Sequence, residues 1–383
     1  MDLSEFSDIA PFNDEETAAA LTRLSNHPNT PWVSKAMFPD EEPTFLRDLL
    51  RSIHTVDQFQ SYVMNSAIHW VIDKSIKDFS YQGIEVLIRM AGEGRRYLLM
   101  SNHRDIVLDP AFIAGILLQN QLPVMEICVG DNLLRQKSVE LLLRSNRMIK
   151  VIRGISAREL YNSSMLLSRY IRETITSDRS SVWIAQRQGR TKNGLDTTEQ
   201  GLLKMLDMSG GHGFVQNFME LNLIPVSISY EYESCDILKA RELLISRTQK
   251  YVKGENEDLQ SIVTGIRQPK GNVHIAIHEP LTQEEIASAD ECDKNDRYQK
   301  IRSIVDARII RGYKLWKTNY MAYDWVNGTD KYAGEYTPED LTGFREYIAH
   351  QLQSVEPELN RDDLQDILLH IYSNPVLSKE QLG

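Results

Sequence analysis

Cysteine is scarce in this chain. Cys128, Cys235 and Cys292 are the three in 383 residues, far apart and without a Cys-x-x-Cys pair. That spacing excludes a dense disulfide framework and a zinc ribbon, and it points to a reducing compartment. Long apolar runs are missing too. A bilayer span needs about 20 apolar residues, and Ala111 to Leu118, the apolar run beside the motif described below, is short and preceded by Asp109. The start, Met1-Asp-Leu-Ser-Glu-Phe-Ser-Asp8, lacks the basic-then-apolar order of a signal peptide. Basic residues are in the minority, 43 Lys plus Arg against 54 Asp plus Glu, and the net charge of −11 argues against nucleic acid as a partner. Neither Gly-x-Ser-x-Gly nor the phosphate-cradling Gly-x-x-x-x-Gly-Lys-Ser/Thr occurs, so an esterase elbow and a P-loop are both unsupported.

What is present is ample apolar content, 42%, arranged with two periodicities. Residues 1–78 carry helical spacing, with Asn13 or Asp14 capping a helix through Leu24 and a second apolar pattern from Val63 to Val71. From Ser80 onward short apolar runs alternate with longer amphipathic ones. Tyr97–Met100, Val124–Cys128, Lys150–Arg153, Ser181–Ala185 and Leu223–Tyr230 read as strands. Val107–Leu118, Leu133–Leu143, Ser156–Thr176 and Thr198–Met208 read as the helices between them. A long helical insertion is expected through Leu238 to Val263, before a strand at Asn272–His278. The alternation predicts an α/β fold with a mostly parallel central sheet flanked by helices, and helical N-terminal and C-terminal extensions. The corresponding segments are 1–78, 79–281 and 282–383. His274 and His278 share one face of their strand, but no third ligand of suitable spacing accompanies them, so no metal is expected.

The chemistry concentrates in Ser101-Asn-His-Arg-Asp-Ile-Val-Leu-Asp-Pro110, where a strand gives way to a helix. A histidine can take a proton from an attacking hydroxyl when a carboxylate fixes its tautomer and stabilises the imidazolium. Asp105 and Asp109 are both close enough to His103 to serve. A helix N-terminus adds unpaired backbone N–H groups that suit anions and oxyanions. Ligands of parallel sheets sit beyond the carboxyl ends of the strands, and His103, Arg153 and Arg190 each lie at or just after such an end. Between Arg135 and Arg158 there are seven basic residues and one acid, Glu140, so the overall acidity need not surround this crevice.

Four motifs occur in order. Phe79-Ser-Tyr-Gln-Gly-Ile-Glu-Val-Leu87 followed by Leu98-Leu-Met-Ser-Asn-His-Arg-Asp-Ile-Val-Leu-Asp109 resembles the opening of the glycerolipid acyltransferase family. Met148-Ile-Lys-Val-Ile-Arg-Gly154 is similar to its second motif, Val182-Trp-Ile-Ala-Gln-Arg-Gln-Gly-Arg-Thr-Lys-Asn-Gly194 to its third and Leu223-Ile-Pro-Val-Ser-Ile-Ser-Tyr-Glu231 to its fourth. The last is most like the glycerol-3-phosphate and dihydroxyacetone-phosphate branch. The resemblance implies His103 as general base, and Arg153 and Arg190, with Arg104, Gln188, Gly189 and Lys192, as residues that bind substrate.

The chain departs from that pattern twice. The family's carboxylate follows the histidine after four intervening residues, where this chain has Leu108; Asp109 comes one later, and Asp-Pro before an apolar helix favours it over Asp105. Gln188 stands where the family has Glu, keeping hydrogen-bonding capacity without charge. The resemblance implies transfer of a fatty acyl group from acyl-CoA or acyl-carrier protein, as co-substrate rather than cofactor, to a phosphate-bearing glycerolipid precursor such as glycerol 3-phosphate or a lysophosphatidate. A non-catalytic lipid-binding or scaffold protein of the same fold and an acyl thioester hydrolase are the alternatives. A cytoplasmic protein with peripheral contact at the inner, anionic membrane face is expected.

Overall fold

A computed structural model describes residues 4–153 and 156–382. Seven strands form one sheet: β1 (Ile76–Gln82), β2 (Leu98–Ser101), β3 (Glu126–Gly130), β4 (Met148–Val151), β5 (Val182–Ala185), β6 (Leu223–Tyr230) and β7 (Gly271–Ile277), in the order β1-β7-β6-β2-β5-β3-β4. All neighbours are parallel except β6 and β7. The fold is therefore α/β with a mostly parallel sheet. Parallel strands are covered on both faces and so read as unbroken apolar runs; β2 and β6 are buried along their whole length.

Alternation along the strands divides the side chains between two cores. Leu98, Met100, Val182 and Ile184 face Tyr170 and Ile171 of the helix Ala157–Thr176. Leu99, Trp183, Ile224 and Ile228 face Phe112, Ile113 and Leu117 of the helix Leu108–Gln119. Ile286 and Ala289 of the helix Gln283–Asp290, with Ile301, Val305 and Ile309 of the helix Asp296–Gly312, join the first core. Apolar packing is thus continuous past residue 282. The N-terminal helices bury a cluster of their own around Leu21, Leu50 and Phe59, and the C-terminal helices another around Phe344, Ile348 and Tyr372. No helix among the described residues is long and apolar enough to cross a membrane.

Two elements differ from the sequence expectation. β1 begins at Ile76, within the stretch read as helical. It is an edge strand paired with β7 alone, so Lys77, Asp78 and Gln82 stay exposed and no apolar run marks it. The insertion expected as one helical stretch is two helices, Asp236–Ser246 and Glu257–Arg267, joined by a mainly exposed polar linker.

His274 and His278 are each engaged by a serine. His274 Nδ1 lies 2.9 Å from Ser80 Oγ on β1. Ser227 donates its hydroxyl to Ile309 O at 2.7 Å and accepts from His278 Nε2 at 3.0 Å. Burial, and then the charge of Arg308, hold the His278 pKa down from 6.5 to about 4. The unfolded chain then takes up a proton in a range where the native state does not, so stability is lost as pH falls from 6.5 towards 4. Urea unfolding at about pH 7 and about pH 4.5 checks this: the midpoint of His278→Gln falls less than that of the parent chain, and an equal fall contradicts the assignment.

Candidate active site

The site begins where β2 ends. Asn102 is fully buried and continues the ladder with its side chain: its Nδ2 donates to Ile228 O at 2.9 Å and its Oδ1 accepts from Ile228 N at 2.8 Å. The backbone is thereby released to turn while staying attached to β6. On the other side, Gln186 N donates to Ser101 O at 2.8 Å and Thr191 N to His103 O at 2.7 Å, so the loop after β5 runs beside the motif.

Asp109 resolves the choice of carboxylate. His103 Nδ1 lies 2.9 Å from Asp109 Oδ2, and the same oxygen accepts the backbone N–H groups of Arg104 and Asp105 at 2.7 and 2.9 Å. Tyr230 donates its hydroxyl to Asp109 Oδ1 at 2.9 Å. A carboxylate can only accept, so Nδ1 carries the proton and Nε2 is left as the basic nitrogen. Nε2 has no hydrogen-bond partner among the described residues, and the side chain is 13% exposed. The ring edge packs against Trp183, centroids 6.0 Å apart.

Asp105 has a different task. Its Oδ1 accepts from Val107 N and Leu108 N at 2.9 and 2.8 Å, capping the helix Leu108–Gln119, and its Oδ2 accepts from Ser234 Oγ. This bend absorbs the extra residue between His103 and Asp109. It also corrects the expectation of open N–H groups for a ligand at this helix start, because those of Arg104, Asp105, Val107 and Leu108 are taken by the two aspartates. The helix Glu257–Arg267 closes over the bend at Gly265, where a Cβ would stand 2.3 Å from Asp105 Oδ2.

Arg104, expected to meet substrate, is turned inward and 1% exposed. Its guanidinium reaches Asp196 at 2.5 Å, Glu233 at 3.2 Å and Gly194 O at 3.2 Å, with Tyr313 beneath it at 4.9 Å. Lys239 Nζ reaches Glu233 at 2.5 Å and Arg104 O at 2.7 Å. Burial opposes the charge of Arg104, and Asp196 and Glu233 outweigh it. Two cations and two anions make the cluster neutral. It fastens the motif to the loop after β5 and to the turn after β6.

The other arginines differ in their surroundings. Arg190 is 9% exposed, its Nη1 has no hydrogen-bond partner, and it forms no ion pair among the described residues. Its charge is felt at Asp258, where burial opposes ionisation but hydrogen bonds from Lys253 and Asn132, and the charges of Lys253 and Arg190, hold the carboxyl below its usual range. Asn132 Nδ2 donates to Asp258 Oδ2 at 2.8 Å, and a Cβ on neighbouring Gly130 would lie 2.6 Å from Asn132 Oδ1 and 2.7 Å from Arg153 Nη2. Arg153 itself is exposed and without an ion pair among the described residues. Arg153 thus lies beside Asn132, which binds Asp258, the carboxylate at which the charge of Arg190 is felt. Gly154, which closes the second motif, lies outside the described residues.

Lys192 is bound to Glu242 rather than free. Gln188 and Gly189 form an exposed loop tip, where Gly189 takes φ of 72°. Arg187 lines a separate cleft of about 570 Å³ with Leu195, Gln200 and Arg302, and His103 is not among its walls. Among the described residues no group of three or more His, Cys, Asp or Glu side chains could hold a metal ion. Sequence reasoning missed Asn102, Asp196, Tyr230 and Glu233. Tyr230 and Glu233 stand at or just after the end of β6, the position that drew attention to Arg153 and Arg190.

Comparison with protein-family models and with curated proteins finds no match to this chain. The functional reading therefore rests on the motifs and on the geometry just described.

Removing one member of a buried ion cluster strands its partners, at a typical cost of about 3–5 kcal/mol. Arg104→Met should lower the unfolding free energy by roughly that amount in urea titration, and a loss under about 1 kcal/mol contradicts the cluster's role.

Proposed function

We propose that the chain transfers a fatty acyl group from acyl-CoA or acyl-carrier protein to a hydroxyl of glycerol 3-phosphate, a lysophosphatidate or a related phosphate-bearing acceptor. The observation that carries this reading is a histidine committed to Asp109 through Nδ1, on a loop hydrogen-bonded to the one bearing Arg190, a buried cation that forms no ion pair among the described residues and whose Nη1 has no hydrogen-bond partner. An isolated buried charge is costly, and a bound phosphate would compensate it.

In this mechanism the acceptor hydroxyl gives its proton to His103 Nε2 as its oxygen attacks the thioester carbonyl. Asp109 stabilises the imidazolium. The tetrahedral intermediate collapses, the carbon–sulfur bond breaks, and the imidazolium returns the proton to the departing thiolate. The products are the acylated acceptor and a free thiol, and no acyl-enzyme is needed. Arg190 and Arg153 grip the phosphate; Arg can present two parallel donors to it. Gln188, at the exposed tip, can hydrogen-bond the acceptor, while Lys192 reaches it only by leaving Glu242. Arg135, Lys137 and Arg158 are exposed, as are Leu160 and Tyr161 on the helix that begins beside Arg158, and these residues would meet an anionic membrane surface at the cytoplasmic face.

Purified chain with labelled palmitoyl-CoA and an acceptor series beginning with glycerol 3-phosphate tests the reading. The expected result is an acylated acceptor, with His103→Ala slowing turnover roughly 10²- to 10⁴-fold while the fold persists. Thiol release with free fatty acid would indicate a hydrolase, and acceptor binding without turnover a scaffold.

A further inference from the structure

Tyr230 is the last residue of β6 and 1% exposed, yet its hydroxyl reaches into the motif to Asp109 Oδ1 at 2.9 Å. Its position is fixed from two sides. Asn102 clamps β6 at Ile228, two residues earlier, and the phenol ring packs against Phe112, on the helix that carries Asp109, with centroids 6.4 Å apart. The other oxygen, Oδ2, is filled by His103 and two backbone N–H groups. Among the described residues Tyr230 is the one side chain besides His103 that hydrogen-bonds Asp109.

We propose that Tyr230 is a positioning residue of the reaction proposed above, on which this inference rests: acting through Asp109, it sets the orientation and the proton affinity of His103. A hydrogen bond to Oδ1 draws carboxylate charge away from Oδ2 and weakens its pull on the imidazolium. It also stops the carboxylate from rotating, which keeps Oδ2 in line with Nδ1. Burial, and then the charges of Asp109 and Asp105, push the Tyr230 phenol well above its ordinary range, so it stays a donor throughout the working pH.

Asp105 is satisfied by Ser234 and by helix capping, Arg104 points away into Asp196 and Glu233, and Lys239 bridges Glu233 and the Arg104 carbonyl. Arg190 lies on the loop after β5, Cys235 Sγ donates to Ser261 O, and Lys270 Nζ donates to Ser75 Oγ and Gln268 O. None of these hydrogen-bonds Asp109 through its side chain.

Tyr230→Phe keeps the ring and removes the donor. In the palmitoyl-CoA and glycerol 3-phosphate assay, kcat should fall roughly ten- to hundredfold with the acceptor KM within about twofold, as expected for loss of one hydrogen bond to a charged group. The acid limb of kcat/KM should move up by roughly half a unit to one unit, since the less hydrogen-bonded Asp109 holds the imidazolium more tightly. Site-specific 3,5-difluorotyrosine at this position, a stronger donor, should move the limb the other way. A tyrosine that only packs would lower stability and leave the limb in place for both replacements, and that result overturns the proposal. If the parent chain turns over no acceptor, the reading of its function fails, and NMR titration of His103 decides this point alone. A raised His103 pKa in Tyr230→Phe supports it; an unchanged one overturns it.

Discussion

The Asp109 carboxylate receives four hydrogen bonds, two from backbone N–H groups of its own loop, one from His103 and one from Tyr230, and much of the surrounding structure serves to bring these donors together. A buried carboxylate is tolerable only when its oxygens are satisfied. The loop therefore wraps around Asp109, and the wrapping aims the imidazole. His103 gains a fixed tautomer from the same contacts that make the buried charge acceptable, so local folding and chemistry are one requirement.

Around this pair lies a second buried electrostatic unit, Arg104, Lys239, Asp196 and Glu233, which carries no net charge. Its members come from the motif, the loop after β5, the turn after β6 and the helix Asp236–Ser246. Hydrophobic packing orders strands and helices well but leaves loops at a sheet edge loosely specified; directional ion pairs fix them. Arg190 is the contrast. It is also buried, though less deeply, but among the described residues it has no carboxylate within ion-pair distance, and this difference separates a structural arginine from one that could take a ligand.

The strand and helix alternation was legible because strands covered on both faces leave unbroken apolar runs, as in Leu98–Met100 and Leu223–Tyr230, and because amphipathic helices separate them. β1 was not, since an edge strand paired on one side keeps polar residues such as Lys77 and Asp78. His103 and both candidate aspartates stood out from their junction position. Which aspartate meets the imidazole depends on the bend at Asp105, held by Ser234 from 129 residues further along, and such a contact leaves no local mark. Arg104 misled for the same reason: its partners Asp196 and Glu233 are distant in sequence, so it looks like a free cation beside the candidate histidine. Tyr230 lies inside the fourth of the sequence motifs but reads there as an ordinary strand aromatic.

The most direct test of this arrangement is the rate of acyl transfer to glycerol 3-phosphate in Asp109→Asn compared with Asp105→Asn. An amide at position 109 would disturb the imidazole tautomer, and the predicted loss is roughly 10³- to 10⁴-fold, whereas Asp105→Asn should act mainly on stability and keep turnover in its folded fraction. A folded Asp109→Asn protein that transfers acyl groups at the parent rate, with activity lost instead in Asp105→Asn, would contradict the account.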